Sequence, residues 1–185
     1  PYPDLWDVPF VDFLKPAILT ALYTGMRRGE LFSLEWGDVD LDGARLTVRP
    51  DNAKSGRLRV IPLPGFLVDI LGQWRAMRDS LTPLVFPSPQ NGERMHDCNT
   101  SFRRVLKDAE IENFRFHDLR HSYASSLVQK GTDLYTVQKL LGHSSITMTE
   151  RYAHLHPDNF KKAVENLTMP EMAAEKVVVG IGRPS

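Results

Sequence analysis

Between Phe116 and His154 the chain reads FHDLRHSYASSLVQKGTDLYTVQKLLGHSSITMTERYAH, a helical run that two glycines cut into short pieces. Helices are predicted from His117 to Lys130, ended by Gly131, and from Asp133 as N-cap to Leu141, ended by Gly142. Two more are expected, from about Ile146 to Tyr152 and from Pro157 to Asn166. The stops bring His117, Arg120, His143 and Tyr152 into one short helical region. Each of these side chains suits work on a phosphodiester. Arg120 can clamp two phosphate oxygens, His117 can move a proton, His143 can donate to a phosphate oxygen, and the Tyr152 phenol can attack phosphorus. Arg120 follows His117 by three positions, so the two project from one helical face. HDLRH also has the His-x-x-x-His spacing of a zinc-hydrolase helix. The fixed charge of Arg120 and the absence of the general-base Glu of that motif argue against a metal there.

Upstream, Val11 to Tyr23 carries Phe13, Leu14, Ala17, Ile18, Ala21 and Leu22 at helical spacing, and Thr24-Gly25 breaks the run. A second helix is expected from about Arg28 to Trp36, burying Leu31, Phe32 and Leu34. Arg27 then falls at a tight junction between two packed helices, where a guanidinium is held rigidly. VDLDGARLTVRP and RLRVIPLP are rich in β-formers around the turn residues Asp42-Gly43 and Ser55-Gly56. They predict a small sheet of two to three strands with Lys54 at a hairpin tip. An amphipathic helix is expected from Leu67 to Leu81, with Leu67, Ile70, Leu71, Trp74 and Met77 on one side. Another is expected from Thr100 to Ala109. Residues 1–10 read as a lead-in or linker remnant, 11–170 as one catalytic domain, and 171–185 as a tail whose Val177, Val178, Val179 and Ile181 form a possible strand. The fold class is therefore α+β, mainly helical, with a small antiparallel sheet.

Charge sets a condition on any nucleic-acid reading. The 23 basic residues are matched by 23 acidic ones, so a cationic face must come from local excess. Residues 51–130 supply it, with 12 basic against 9 acidic side chains. Arg27, Lys54, Arg57, Arg59 and Arg120 are the cations expected to face DNA. Cys98, the single cysteine, has no internal partner, and the first residues lack a basic signal-peptide region. No apolar run reaches the ~20 residues of a spanning helix. The expected location is cytoplasmic, with no membrane contact.

Taken together, TGMRRGEL, the Lys54 hairpin followed by IPL, HDLRHSYAS, LGH and the tyrosine of ITMTERYAH resemble the catalytic domain of the tyrosine recombinases, the phage integrase family. The resemblance covers roughly residues 11–166. It implies Arg27 and Arg120 as phosphate clamps, Lys54 as general acid, His117 as proton shuttle, His143 as phosphate ligand and Tyr152 as nucleophile, with Glu30 supporting the arginine. Arg57 and Arg59 would add DNA contacts. The implied activity is cleavage and religation of double-stranded DNA through a 3′-phosphotyrosine, with no cofactor, metal or ATP. Implied partners are DNA, other protomers in a tetramer on DNA, and N-terminal DNA-binding domains that this chain starts without. A type IB topoisomerase and a non-catalytic DNA-binding module are the alternatives. The tail is expected to add to a sheet edge, in cis or on a neighbouring subunit.

Overall fold

A computed structural model describes residues 12–52, 56, 58–77 and 82–157 of the chain. Leu14, Ala17 and Ala21 recur at helical spacing and bury one face of α1 (Leu14–Thr24), with Pro16 tolerated in the first turn. The helix stops at Gly25, whose φ of 63° lies in the left-handed region and whose N–H donates to the Ala21 carbonyl. A Cβ added there would lie 2.5 Å from the Tyr123 ring and 3.0 Å from Leu141. Glycine is thus required twice, by the backbone and by the close approach of two side chains.

The next helix is shorter than expected. α2 (Arg28–Leu31) makes one turn, because residues 34–36 leave the helix to pair elsewhere. The Leu34 carbonyl accepts from the Val85 N–H at 2.8 Å, and the Trp36 N–H donates to the Pro83 carbonyl at 2.9 Å. A tertiary pairing has overridden a local helical pattern. Three strands follow, β1 (Val39–Asp40), β2 (Arg45–Val48) and β3 (Arg59–Pro62), in one antiparallel sheet of order β1-β2-β3. The register pairs Val39 with Leu46, Leu46 with Ile61, and Val48 with Arg59. Strand side chains alternate in direction, so Arg59 shares the inner face with Ile61 while Val60 faces out.

α3 (Gly65–Ala76) buries Leu67, Ile70, Leu71 and Trp74, and the Trp74 indole N–H donates to the Val85 carbonyl at 2.8 Å. It ends before the expected Leu81, and Met77 is exposed instead of joining the apolar side. α4 (Asn99–Asp108) adds Phe102 and Leu106 to the same core. α5 (Asp118–Gln129), α6 (Leu134–Leu141) and α7 (Thr147–Glu150) complete the described helices. The Asp133 carboxylate caps α6 by accepting from the Thr136 N–H at 2.8 Å, as the sequence predicted. The expected helix to Tyr152 is a single turn, α7, followed by a tight 3₁₀ turn at Ala153–Leu155.

Two apolar clusters result. The larger joins α1, α2, the sheet, α3, α4 and Leu119 at the start of α5. The smaller joins Ala124 and Val128 of α5 with Val137, Leu141 and Tyr152. α5 spans both, and the site sits at their seam. Lys54 and Arg57 in the β2–β3 connection, the lead-in 1–10, the tail 171–185 and all but the first residue of the predicted 157–166 helix lie outside the described residues.

This packing separates two glycines. Gly25→Ala is expected to destabilise the fold by about 1–3 kcal/mol, the left-handed penalty plus the crowding of Tyr123. Gly72→Ala inside α3, where an added Cβ meets nothing within 4 Å, should stabilise by about 0.5–1 kcal/mol. Urea unfolding of both variants measures the difference.

Candidate active site

Arg27 is the N-cap of α2, so its backbone N–H has no partner within the helix. Glu30, three residues on, reaches back to it. One carboxylate oxygen accepts from the Arg27 N–H at 2.8 Å, and the other from the Arg27 guanidinium at 2.9 Å. The same carboxylate takes two more hydrogen bonds from Arg59, at 3.0 and 2.6 Å. Its side chain is 1% exposed. Burial alone would raise the Glu30 carboxyl, but the Arg59 bonds and charge outweigh it and hold the carboxyl below its usual range.

Arg59 therefore departs from expectation. It is 8% exposed and faces inward beneath the site, not outward toward DNA. The cause is strand alternation, which turns residue 59 toward the core, together with the buried carboxylate waiting there. Gly142, with φ 65°, ends α6 directly over it; an added Cβ would lie 3.0 Å from the Arg59 guanidinium.

Arg120 lies on the buried stripe of α5 with Ala124 and Val128, one and two turns on. Its guanidinium donates to the Gly25 carbonyl at 2.6 Å and to the Leu141 carbonyl at 2.7 Å. Both acceptors stand at helix C-termini, where the macrodipole favours a cation. Burial, and then the neighbouring Arg27 charge, pull Arg120 down to about 9, which leaves it protonated at neutral pH.

Four rings complete the site. His117 stands at the N-cap position of α5 and His121 follows one turn later, their rings crossing edge to face at 5.0 Å. His143 sits just beyond Gly142, its Nδ1 2.9 Å from the buried Thr149 hydroxyl. Tyr152 packs its ring into the smaller cluster and brings its hydroxyl to 2.5 Å from His121 Nδ1. Arg27, His117, Arg120, His121, His143 and Tyr152 line one open cavity of about 710 Å³. Burial, then the charges of Arg120 and Arg27, take His143 down to about 4. Burial, then His121 and Arg120, lower His117; burial, then Arg151, lowers His121. Burial raises the Tyr152 phenol, against the opposing pull of Arg151 and Arg120. With Arg151 also on its wall, the cavity at neutral pH thus holds three cations, three neutral imidazoles and a protonated phenol. It is built to attract an anion and to take a proton from the phenol.

Five of the residues singled out in the sequence share this cavity, and Glu30 lies beneath it. His121 was missed as a site residue. Its signal was present, since HDLRH places it four positions after His117, on the same helical face. Among the described residues no third His, Cys, Asp or Glu joins these two histidines in a group able to hold a metal.

Residues 13–159 match the Phage integrase family. The integrase of Salmonella phage P22 is 33% identical over 178 residues, covering 88% of this chain and 46% of that protein. Tyrosine recombinase XerA of Pyrococcus furiosus is 31% identical over 159 residues, covering 83% of this chain and 54% of that protein. The chain spans about half the length of the curated relatives it matches. Among solved structures, the catalytic domain of bacteriophage HP1 integrase superposes with a TM-score of 0.63 at 29% identity, over 83% of this chain and 82% of that one. XerH recombinase bound to its difH substrate in a pre-cleavage complex gives 0.67 at 26% identity, over 84% of this chain and 47% of that one. A match that runs from α1 past Tyr152 takes in both glycine-capped helix ends and every described side chain of the cavity, and the chain belongs to the phage integrase family of tyrosine recombinases.

Proposed function

We propose that this chain is the catalytic domain of a site-specific DNA recombinase or integrase, which cuts and rejoins duplex DNA through a 3′-phosphotyrosine. The observation that carries this reading is the opening of the Tyr152 hydroxyl and of two immobilised guanidiniums, Arg27 and Arg120, onto one cavity. The DNA substrate of the XerH relative supports the choice of ligand. Other protomers and further DNA-binding domains belong to the same reading, as does a place in the cytoplasm beside the DNA. Among the described residues no helix is long and apolar enough to cross a membrane.

The chemistry follows from the residues. A phenol with pKa ~10 is a weak nucleophile at neutral pH, and burial raises that of Tyr152 further. The site must therefore remove the phenolic proton and stabilise the pentavalent phosphorane. Arg27 and Arg120 present N–H donors whose geometry the protein has already fixed, so little reorganisation accompanies the gain of charge. Neutral His143 adds a hydrogen bond to a phosphate oxygen. The neutral His117–His121 pair stands ready to accept a proton. Lys54, in the β2–β3 connection, delivers a proton to the departing 5′-oxygen. The phosphotyrosine conserves the energy of the broken bond, so a second 5′-hydroxyl can religate without ATP.

Tyr152→Phe is expected to abolish the covalent adduct with a nicked suicide duplex while DNA affinity stays within about twofold, since only the nucleophilic oxygen is lost. An adduct in that variant would exclude Tyr152 as nucleophile. Arg120→Lys should slow cleavage by ~100-fold or more, because an ammonium cannot bridge two carbonyls and still present a fork to phosphate.

His143 supplies a pH prediction. Its folded-state value of about 4 lies below the ordinary 6.5, so between those values the unfolded chain binds more protons. Folding stability should fall as pH drops through that window, and His143→Asn should flatten the fall. An NMR titration showing His143 protonating near 6.5 in DNA-free protein would contradict this.

A further inference from the structure

His121 lies outside the set of residues that the family resemblance implies, yet among the described residues it makes the hydrogen bond to the Tyr152 phenol. The contact joins Nδ1 to the hydroxyl at 2.5 Å, across thirty-one residues of sequence. The two rings are tilted, with centroids 6.0 Å apart, so the imidazole edge points at the oxygen. Both groups are held from behind. His121 projects from the second turn of α5, and the Tyr152 ring is packed against Ala124, Val128, Val137 and Leu141. A side chain that touches the reacting oxygen in this way stands where a general base must stand.

We propose that His121 is a catalytic residue of this enzyme, the first acceptor of the Tyr152 proton, with His117 in second position along the same helical face. The assignment rests on the strand-cleaving function proposed above. In the forward step the Tyr152 O–H bond breaks and an N–H bond forms at His121 Nδ1. The phenolate oxygen bonds to phosphorus, and the P–O5′ bond breaks with the 5′-oxygen taking its proton from Lys54. Religation runs in reverse: the attacking 5′-hydroxyl returns its proton to Lys54, and Tyr152 recovers its own from His121. Atoms and charge balance in each direction.

The groups around His121 suit an acceptor. Arg151 beyond α7 and Arg115 before α5 face it, with Arg120 and Asp118 on its own helix and His117 at the cap. Burial, and then three cations against one carboxylate, lower the imidazole below its ordinary value and keep it neutral near pH 7. Asp118 is itself engaged by Arg115, through bonds of 2.8, 3.1 and 3.3 Å. Its negative charge is therefore shared and does not trap His121 as imidazolium. The cations also favour the phenolate that results, which the coulombic pull of Arg151 and Arg120 on Tyr152 expresses directly.

The test compares His121→Asn with wild type in single-turnover cleavage of a nicked suicide duplex from pH 6 to 9.5. Asn places a hydrogen-bonding atom near Nδ1 without a base, so it separates holding the phenol from taking its proton. The expected result is a loss of ~100-fold or more at pH 7 that shrinks as pH approaches the phenol's own range, with unchanged DNA affinity. Wild-type rates in the variant, or a deficit equal at every pH, would overturn the proposal. DNA with sulfur at the scissile 5′-bridging position, whose leaving group needs no proton, should not restore His121→Asn; restoration would move its role to the leaving group and refute it. A second arm needs no catalysis. In DNA-free protein, ¹⁵N NMR should find neutral His121 unprotonated at Nδ1, and Tyr152→Phe should raise its titration midpoint by about half a unit. A proton found on Nδ1 in the neutral form would refute the assignment. Failure of wild type to form any adduct would instead count against strand cleavage itself, while the NMR arm still reads the Tyr152–His121 bond.

Discussion

Three guanidinium groups, those of Arg27, Arg59 and Arg120, are gathered around a single buried carboxylate, and the shortage of negative charge governs the rest of the site. Glu30 answers Arg27 and Arg59 through four hydrogen bonds. Arg120 receives no carboxylate among the described residues and rests on two backbone carbonyls instead. Burying charge is costly unless each group is paired, so a cluster with this imbalance is not the cheapest way to fill a core. It is, however, an arrangement that the phosphate of the proposed reaction would complete. A bound anion would supply the missing charge, and the guanidiniums are already held in place by Glu30 and the two carbonyls.

That arrangement depends on backbone as much as on side chains. Gly25 and Gly142 end α1 and α6 in the left-handed conformation, and the carbonyls that hold Arg120 belong to Gly25 itself and to Leu141, the residue before Gly142. Gly25 also admits Tyr123 at a distance no Cβ would allow, and Gly142 admits Arg59 at one that would crowd a Cβ. The helix ends are therefore parts of the proposed anion site. Tyr152 is tied to the same frame, because Leu141 packs with it in the smaller cluster while its carbonyl holds Arg120.

Much of this was legible in the sequence, for identifiable reasons. Gly131, Asp133 and Gly142 mark helix boundaries through local backbone chemistry, and those boundaries appear within a residue or two of where they were read. The residue types of the site were legible because their chemistry is unusual in combination. What the sequence hid was set by tertiary contacts. α2 stopped early because residues 34–36 pair with 83–85, some fifty positions away. Arg59 looked like a surface cation until its strand register placed it over Glu30, although its alternation with Val60 and Ile61 already carried that information. HDLRH puts His121 on the face of His117, but nothing local says that a phenol thirty-one residues later will meet it.

The central claim is that Arg27 and Arg120 serve to balance charge developing on a phosphate. Replacing a non-bridging oxygen of the scissile phosphate with a methyl group removes that charge while keeping the reacting geometry. Single-turnover cleavage of such methylphosphonate DNA, compared with ordinary DNA, should show the wild-type advantage over Arg27→Ala shrinking by at least about tenfold, since the lost guanidinium has less charge to stabilise. An advantage of equal size on both substrates would contradict the account and make Arg27 a structural partner of Glu30 alone.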